Sequence, residues 1–177
     1  MLKRIIIIGC PGSGKTTLSK QLSDKLRLPL VHLDQLGWRG KWEMTPKEEF
    51  DRLLFEELIN PQWIIEGNYN RTIPDRLSYC DMVIYLDFPA LTCFFGVLKR
   101  VIKGYGKTRS DMGGNCPERV NFSFLKSVLG FNKKHRRDYH TMLNSQKNIK
   151  LVLLKTVPSR IMRKLVCGLW MNEVSRQ

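Results

Sequence analysis

The 177-residue sequence predicts an α/β sandwich, a parallel sheet with helices on both faces. Three observations carry that expectation. Short apolar runs rich in β-branched residues alternate with stretches of helical period. No hairpin turn signal separates one apolar run from the next, which implies parallel pairing. The motif-bearing residues fall at the carboxyl ends of the runs, where ligands sit in sheets of this kind.

Lys3 to Ile8 reads as a first strand buried on both faces. Leu18, Leu22 and Leu26 then recur every fourth residue and define one face of a helix. Pro29 to Leu33 reads as a second strand that ends at Asp34, followed by a loop with Gly37, Trp38, Gly40 and Trp42. Thr45-Pro46-Lys47-Glu48 has the form of a capping box with proline at the first helical position, and Phe50, Leu54 and Leu58 give the helix after it a buried stripe. Trp63 to Glu66 is a third strand, closed by Gly67-Asn68, and Met82 to Asp87 a fourth, stopped by Pro89. Leu91, Phe94, Leu98 and Val101 mark another helix. Lys103 to Arg119 has neither period and reads as a long functional loop. Asn121 to Asn144 reads as helical, with any break expected near Gly130. Ile149 to Leu154 is a fifth strand and Pro158 to Asn172 a final helix.

The length suits one domain over residues 1–177, and 42% apolar with 26% charged residues is a globular composition. The apolar run at the amino terminus stops at Gly9-Cys10-Pro11-Gly12, too soon for a secretory leader, and no window is long enough to cross a bilayer. Five scattered cysteines, never spaced as CxxC, argue against a disulfide framework. Together these predict a cytoplasmic protein with no membrane partner. The net charge of +14 lies entirely in residues 99–177, which hold 18 Lys and Arg against four acids, and this asymmetry points to a polyanionic partner.

Gly9-Cys10-Pro11-Gly12-Ser13-Gly14-Lys15-Thr16 satisfies G-x-x-x-x-G-K-[ST] between a buried strand and an amphipathic helix. The glycines let consecutive N–H groups close around an anion, and the helix start adds its positive dipole end. Gly9, Pro11, Gly12, Ser13, Gly14, Lys15, Thr16 and Thr17 are therefore the expected phosphate-binding residues. Lys15 reaches the β- and γ-phosphates, and the Thr16 hydroxyl ligates Mg²⁺. Of the strand-end acids, Glu66 best fits the carboxylate that holds Mg²⁺ through water. Asp34 fits either a group that accepts a proton from, or orients, an acceptor hydroxyl, or a member of the magnesium shell. Asp87 reads equally as a helix cap and as a site residue.

Three stretches resemble a known family: His32-Leu33-Asp34; Glu66-Gly67-Asn68-Tyr69-Asn70-Arg71-Thr72; and Gly106-Lys107-Thr108-Arg109-Ser110-Asp111-Met112 with Cys116-Pro117-Glu118-Arg119. They are similar to bacterial DNA topology modulation proteins (FlaR-like), of the adenylate-kinase-like branch of P-loop proteins. The resemblance covers roughly residues 2–155. It implies a five-stranded parallel sheet in the order 2-3-1-4-5, a substrate-binding insertion at about 35–60 and a mobile lid at about 103–119. It also implies that Arg71 holds an acceptor phosphate, although its spacing from Glu66 is one residue longer than in nucleotide kinases of the branch. The single lid cysteine, Cys116, leaves no zinc site to expect there.

Arg109 and Arg119 are then the lid cations expected to stabilise a moving phosphoryl group. Trp38, Trp42, Tyr69 and Tyr105 offer surfaces for a base or sugar, and Arg136 and Arg137 are further cations that could face the site. The expected activity is transfer of the γ-phosphate of Mg·ATP to a small acceptor, a nucleotide or nucleoside. The alternative is an ATP-binding regulator that uses its basic half on DNA. No helix-turn-helix, zinc-finger or ribbon signature supports that reading, and no N-K-x-D stretch supports a GTPase.

Overall fold

The computed structural model describes residues 2–155; the expected final helix, Pro158 to Asn172, lies outside them. Strand β1 spans Arg4–Gly9, and the phosphate-loop sequence leads from it into helix α1, Lys15–Leu26. Strand β2 is Leu30–His32, and the chain turns at once into a short helix α2, Leu33–Gly37. A hairpin of β3, Trp38–Gly40, and β4, Glu43–Met44, precedes α3, Lys47–Leu58. Next come β5, Trp63–Glu66, a 3₁₀ turn at Asn70–Thr72, and α4, Ile73–Tyr79. Strand β6, Met82–Leu86, leads to α5, Ala90–Gly104, and after the long loop come α6, Phe122–Asn144, and β7, Lys150–Leu154.

Five strands form one parallel sheet in the order β2-β5-β1-β6-β7. The expected order 2-3-1-4-5 is not the observed numbering, which is 2-5-1-6-7 once two further strands between the second and third expected ones are counted; the five expected segments keep their places. Two strands, β3 and β4, went unread in the sequence and pair only with each other, antiparallel, outside the sheet. They are three and two residues long, too short to show a period of two.

Strand β1 lies at the centre because nothing else in the chain is so uniformly apolar. Ile5, Ile6, Ile7 and Ile8 are all fully buried, so both faces of the strand are covered by other layers. Each such side chain contributes about 1.5–3 kcal/mol by leaving water. Its register, Ile7 opposite Glu66 on one side and Gly9 opposite Leu86 on the other, brings the ends of β1, β5 and β6 to one level. The phosphate loop, Glu66 and Asp87 therefore share one edge of the sheet.

Two helix ends differ from the sequence expectation. The capping box at Thr45 does not form: Pro46 takes the N-cap position of α3 without a side-chain bond, and the Thr45 N–H donates to the carbonyl of Gly37 at 3.0 Å. Helix α6 runs unbroken through Gly130, capped by Asn121, whose side chain accepts from the N–H of Phe124 at 3.0 Å. Among the described residues no helix is long and apolar enough to cross a membrane.

Helix α5 backs directly onto the phosphate loop. A Cβ on Gly96 would fall on the carbonyl of Gly12, and a Cβ on Gly12 would fall on the backbone of Cys93 and Val97. Only glycine at both positions permits that approach. Gly96→Ala is expected to lower stability by about 1–3 kcal/mol, despite alanine's better helix propensity, because backbone must move to admit the methyl group. Thermal unfolding checks it; an unchanged melting temperature would show that the seam has slack.

Candidate functional site

The loop between β1 and α1 has the backbone turns expected of an anion nest, with Gly12 at φ 84° and Gly14 at φ 92°. Gly14 is the N-cap of α1 with φ 92°, and no side chain caps the helix, so its first N–H groups are free to face a ligand. A Cβ on Gly14 would meet nothing within 4 Å, which marks the open side of the loop. Lys15 folds back: its Nζ donates to the carbonyls of Gly9 at 2.9 Å and Cys10 at 3.2 Å. Asn68, just past β5, accepts from the N–H of Gly9 through Oδ1 at 3.1 Å and ties the loop to the neighbouring strand.

Beyond the loop opens a cavity of about 520 Å³. The phosphate-loop residues Pro11, Gly12, Gly14, Lys15, Thr16 and Thr17 line one side of it. Gly9 and Ser13 do not; Ser13 is buried behind the loop, its hydroxyl without a hydrogen-bond partner. Asp34 and Glu66 line the cavity, as do Arg109 and Arg119 from the long loop. These expected site residues come together from four separate segments of the chain.

Arg71 does not join them. Its guanidinium makes a two-pronged ion pair with Asp51 of α3, at 2.8 and 2.6 Å, on the exposed surface. The pair holds the Asp51 carboxyl below its ordinary range through that hydrogen bond. In this structure the cation expected at an acceptor phosphate is held by a carboxylate on α3, outside the cavity. Asp87 and Arg136 are also occupied. Asp87 is buried and accepts from both Nε and Nη2 of Arg136, at 3.0 and 2.9 Å, and pairs with His140 Nε2 at 3.0 Å. Arg137 is exposed on α6 and does not line the cavity.

The long loop lies docked over the cavity. Gly113 N–H donates to the carbonyl of Asp34 at 3.1 Å, Lys41 N–H to that of Asn115 at 2.7 Å, and Gln35 Nε2 to that of Ser110 at 2.8 Å. Trp42 Nε1 donates to the carbonyl of Pro117 at 3.2 Å. The hairpin and α2 thus receive the loop edge on. Arg109 stands at the centre of a carboxylate ring, with Nη1 2.8 Å from Glu118 Oε1, Nε 3.1 Å from Asp111 Oδ1 and Nη2 3.6 Å from Asp34 Oδ2. Arg100 Nε reaches the same Glu118 oxygen at 2.9 Å. Arg119 lies over the Trp42 ring, 5.4 Å from its centroid.

Asp34 is half-buried and takes a hydrogen bond from the Tyr69 hydroxyl at 3.1 Å. Loss of hydration raises its pKa above the ordinary aspartate value, and Arg109 works against that shift. Burial, with Asp34 beside it, also pushes the Tyr69 phenol up, so the phenol is the proton donor of the pair.

One arrangement was not legible in the sequence. The Thr16 hydroxyl lies 3.4 Å from Glu66 Oε1 and 3.3 Å from Asp111 Oδ2. It has one proton and can serve only one of them. Glu66 and Asp111 are both buried, and Glu66 Oε2 has no hydrogen-bond partner at all. A hydroxyl, two buried carboxylates and an unserved oxygen make a hard, anionic donor set, which fits Mg²⁺. Among the described residues no three His, Cys, Asp or Glu side chains form a closed metal cage. Asp111→Asn is expected to raise the Mg²⁺ concentration needed for tight ATP binding by about tenfold, at about 1.4 kcal/mol per decade. Calorimetric titrations at stepped Mg²⁺ check it; an unshifted Mg²⁺ requirement would leave Asp111 as a partner of Arg109 only.

No protein-family model and no curated protein matches the chain. Solved structures do. A shikimate kinase from Bacteroides thetaiotaomicron superposes with a TM-score of 0.60 at 17% identity, over 100% of both chains. A shikimate kinase from Acinetobacter baumannii, in complex with shikimate, gives 0.58 at 16% identity over 100% of this chain and 96% of its own. A candidate kinase from Chloroflexus aurantiacus gives 0.55 at 17% over 97% and 98%. The chain therefore has the fold of P-loop kinases. The narrower resemblance to DNA topology modulation proteins is not confirmed by these comparisons.

Proposed function

We propose that the chain is a P-loop phosphotransferase that moves the γ-phosphate of ATP, with Mg²⁺, to a small acceptor. The observation that carries this reading is a single cavity with the anion nest on one side and the Asp34–Tyr69 pair on another. Lys15, Glu66 and Asp34 line the same cavity, so donor and acceptor ends share one space.

In this reading the free amides of α1 and the loop receive the β- and γ-phosphates, and Lys15 leaves the carbonyls of Gly9 and Cys10 for them. Thr16, Glu66 and Asp111 would hold Mg²⁺, which would neutralise phosphate charge when bound. Asp34 orients the acceptor hydroxyl and takes its proton. Arg109 and Arg119 cover the transfer and keep water out. Adenine over guanine rests on the family resemblance and on the missing N-K-x-D stretch.

Two of the structural neighbours are shikimate kinases, so shikimate belongs among the acceptors to be tried, beside nucleosides, nucleotides and small sugars. The test is calorimetry with Mg·ATP on folded protein, followed by an acceptor screen read as ADP release. No uptake of Mg·ATP or Mg·GTP would end the proposal. DNA affinity measured against salt decides the alternative: tight, sequence-selective binding would favour the regulator.

A further inference from the structure

The cavity wall balances its charges. Lys15, Arg100, Arg109 and Arg119 line it, and so do Asp34, Glu66, Asp111 and Glu118. The loop and Lys15 face the phosphates of ATP. At the acceptor end, Arg100 and Arg109 are already paired with carboxylates, Arg109 with three of them. Of the three cavity arginines only Arg119 has no carboxylate partner among the described residues, and it is laid against the Trp42 indole. Arg71, the cation the sequence offered for an acceptor phosphate, is outside the cavity on Asp51. What the acceptor end does present is a carboxylate with a phenol donor beside it, Asp34 and Tyr69, and aromatic walls. Trp38 and Trp42 meet edge to face with centroids 5.5 Å apart, and Tyr69 lines the same space. A second phosphate dianion there, beside Mg·ATP, would find Arg119 alone without a carboxylate partner, one cation against two charges, and an under-compensated charge in a closed site is costly.

We propose that the acceptor is a hydroxyl group on an uncharged, ring-bearing molecule, a nucleoside or a compound of that build, and not the phosphate of a nucleotide. This deepens the kinase reading and rests on it. The acceptor O–H points at the Asp34 carboxylate, and the oxygen forms a new bond to the γ-phosphorus. The bond from that phosphorus to the β–γ bridging oxygen breaks, and ADP leaves with the electron pair. The acceptor proton passes to Asp34 and then to water. The Trp38–Trp42 corner and Tyr69 hold the ring by its faces and edges, a contact that needs no charge.

The experiment uses the whole chain with Mg·ATP. Adenosine, guanosine, cytidine, uridine and thymidine are each compared with their own 5′-monophosphates, by ADP release and by the mass of the product. The expected result is a kcat/KM for at least one nucleoside about tenfold or more above that of its monophosphate. A monophosphate used as well as its nucleoside overturns the inference while leaving a kinase. A carboxylated alcohol turned over in preference to every nucleoside does the same. Silence from every nucleoside also overturns it. The kinase reading itself falls separately, on failure of the wild-type protein to bind Mg·ATP.

Discussion

Lys15→Ala is expected to lower phosphoryl transfer by about a thousandfold or more while leaving the protein folded. The magnitude is that of removing a fixed charge from the transferring phosphoryl group. The separation of activity from stability follows from what Lys15 touches. Among the described residues it donates to the carbonyls of Gly9 and Cys10, in its own loop, and makes no direct ion pair with a carboxylate. Losing two such bonds at a part-exposed site costs about 1 kcal/mol. Steady-state ADP release and thermal unfolding, measured on the same preparation, check both halves. Wild-type turnover in the variant would remove the mechanism, whatever its melting temperature.

Asp34→Asn is expected to cut turnover by about a hundredfold to ten-thousandfold, the usual loss on removing a positioned acid–base group, with Mg·ATP affinity almost unchanged. Its effect on stability has the opposite sign from that of a structural carboxylate. Burial raises the Asp34 pKa, so the folded chain holds this proton more tightly than the unfolded chain does. The contribution is therefore favourable below the ordinary aspartate range and is lost as pH rises through the raised folded value. Above that window the ionised carboxyl is a burden on the fold. Asparagine, which cannot ionise, should melt at the same temperature or higher at neutral pH. The wild-type rate should also fall on the acid side at a pH above the ordinary aspartate range, as Asp34 takes up its proton. A variant that is both less stable at neutral pH and fully active would overturn this assignment.

The parts of the molecule legible in sequence are those settled by near neighbours. The isoleucine run at residues 5–8 reads as a central strand, and Gly12, Gly14, Lys15 and Thr16 mark by their order alone the turn from that strand into α1. What escaped reading depends on residues far apart in the chain. Arg71 is two-faced until α3 places Asp51 beside it, and nothing local distinguishes that partner from a phosphate. Asp111 meets Thr16 across 95 positions, so its burial against the loop had no sequence signature beyond its place in the Gly106–Met112 stretch. The β3–β4 hairpin is too short for periodicity, and it exists because the loop at 113–115 lies against it. In each case a tertiary contact, not a propensity, made the decision.

Arg76 is fully buried, and its pKa is pushed down to about 10 by loss of hydration. Its guanidinium donates to the carbonyls of Gly67, Asn68 and Tyr69 in succession. That clamp underpins the turn which carries Asn68 to the phosphate loop and Tyr69 to Asp34. The floor beneath the reacting groups is consequently stiff, and any adjustment to the shape of an incoming molecule falls to the roof, where the hairpin and the 105–119 segment meet. Differences in what homologous chains accept should therefore track changes in the roof, while the floor turn stays the same length.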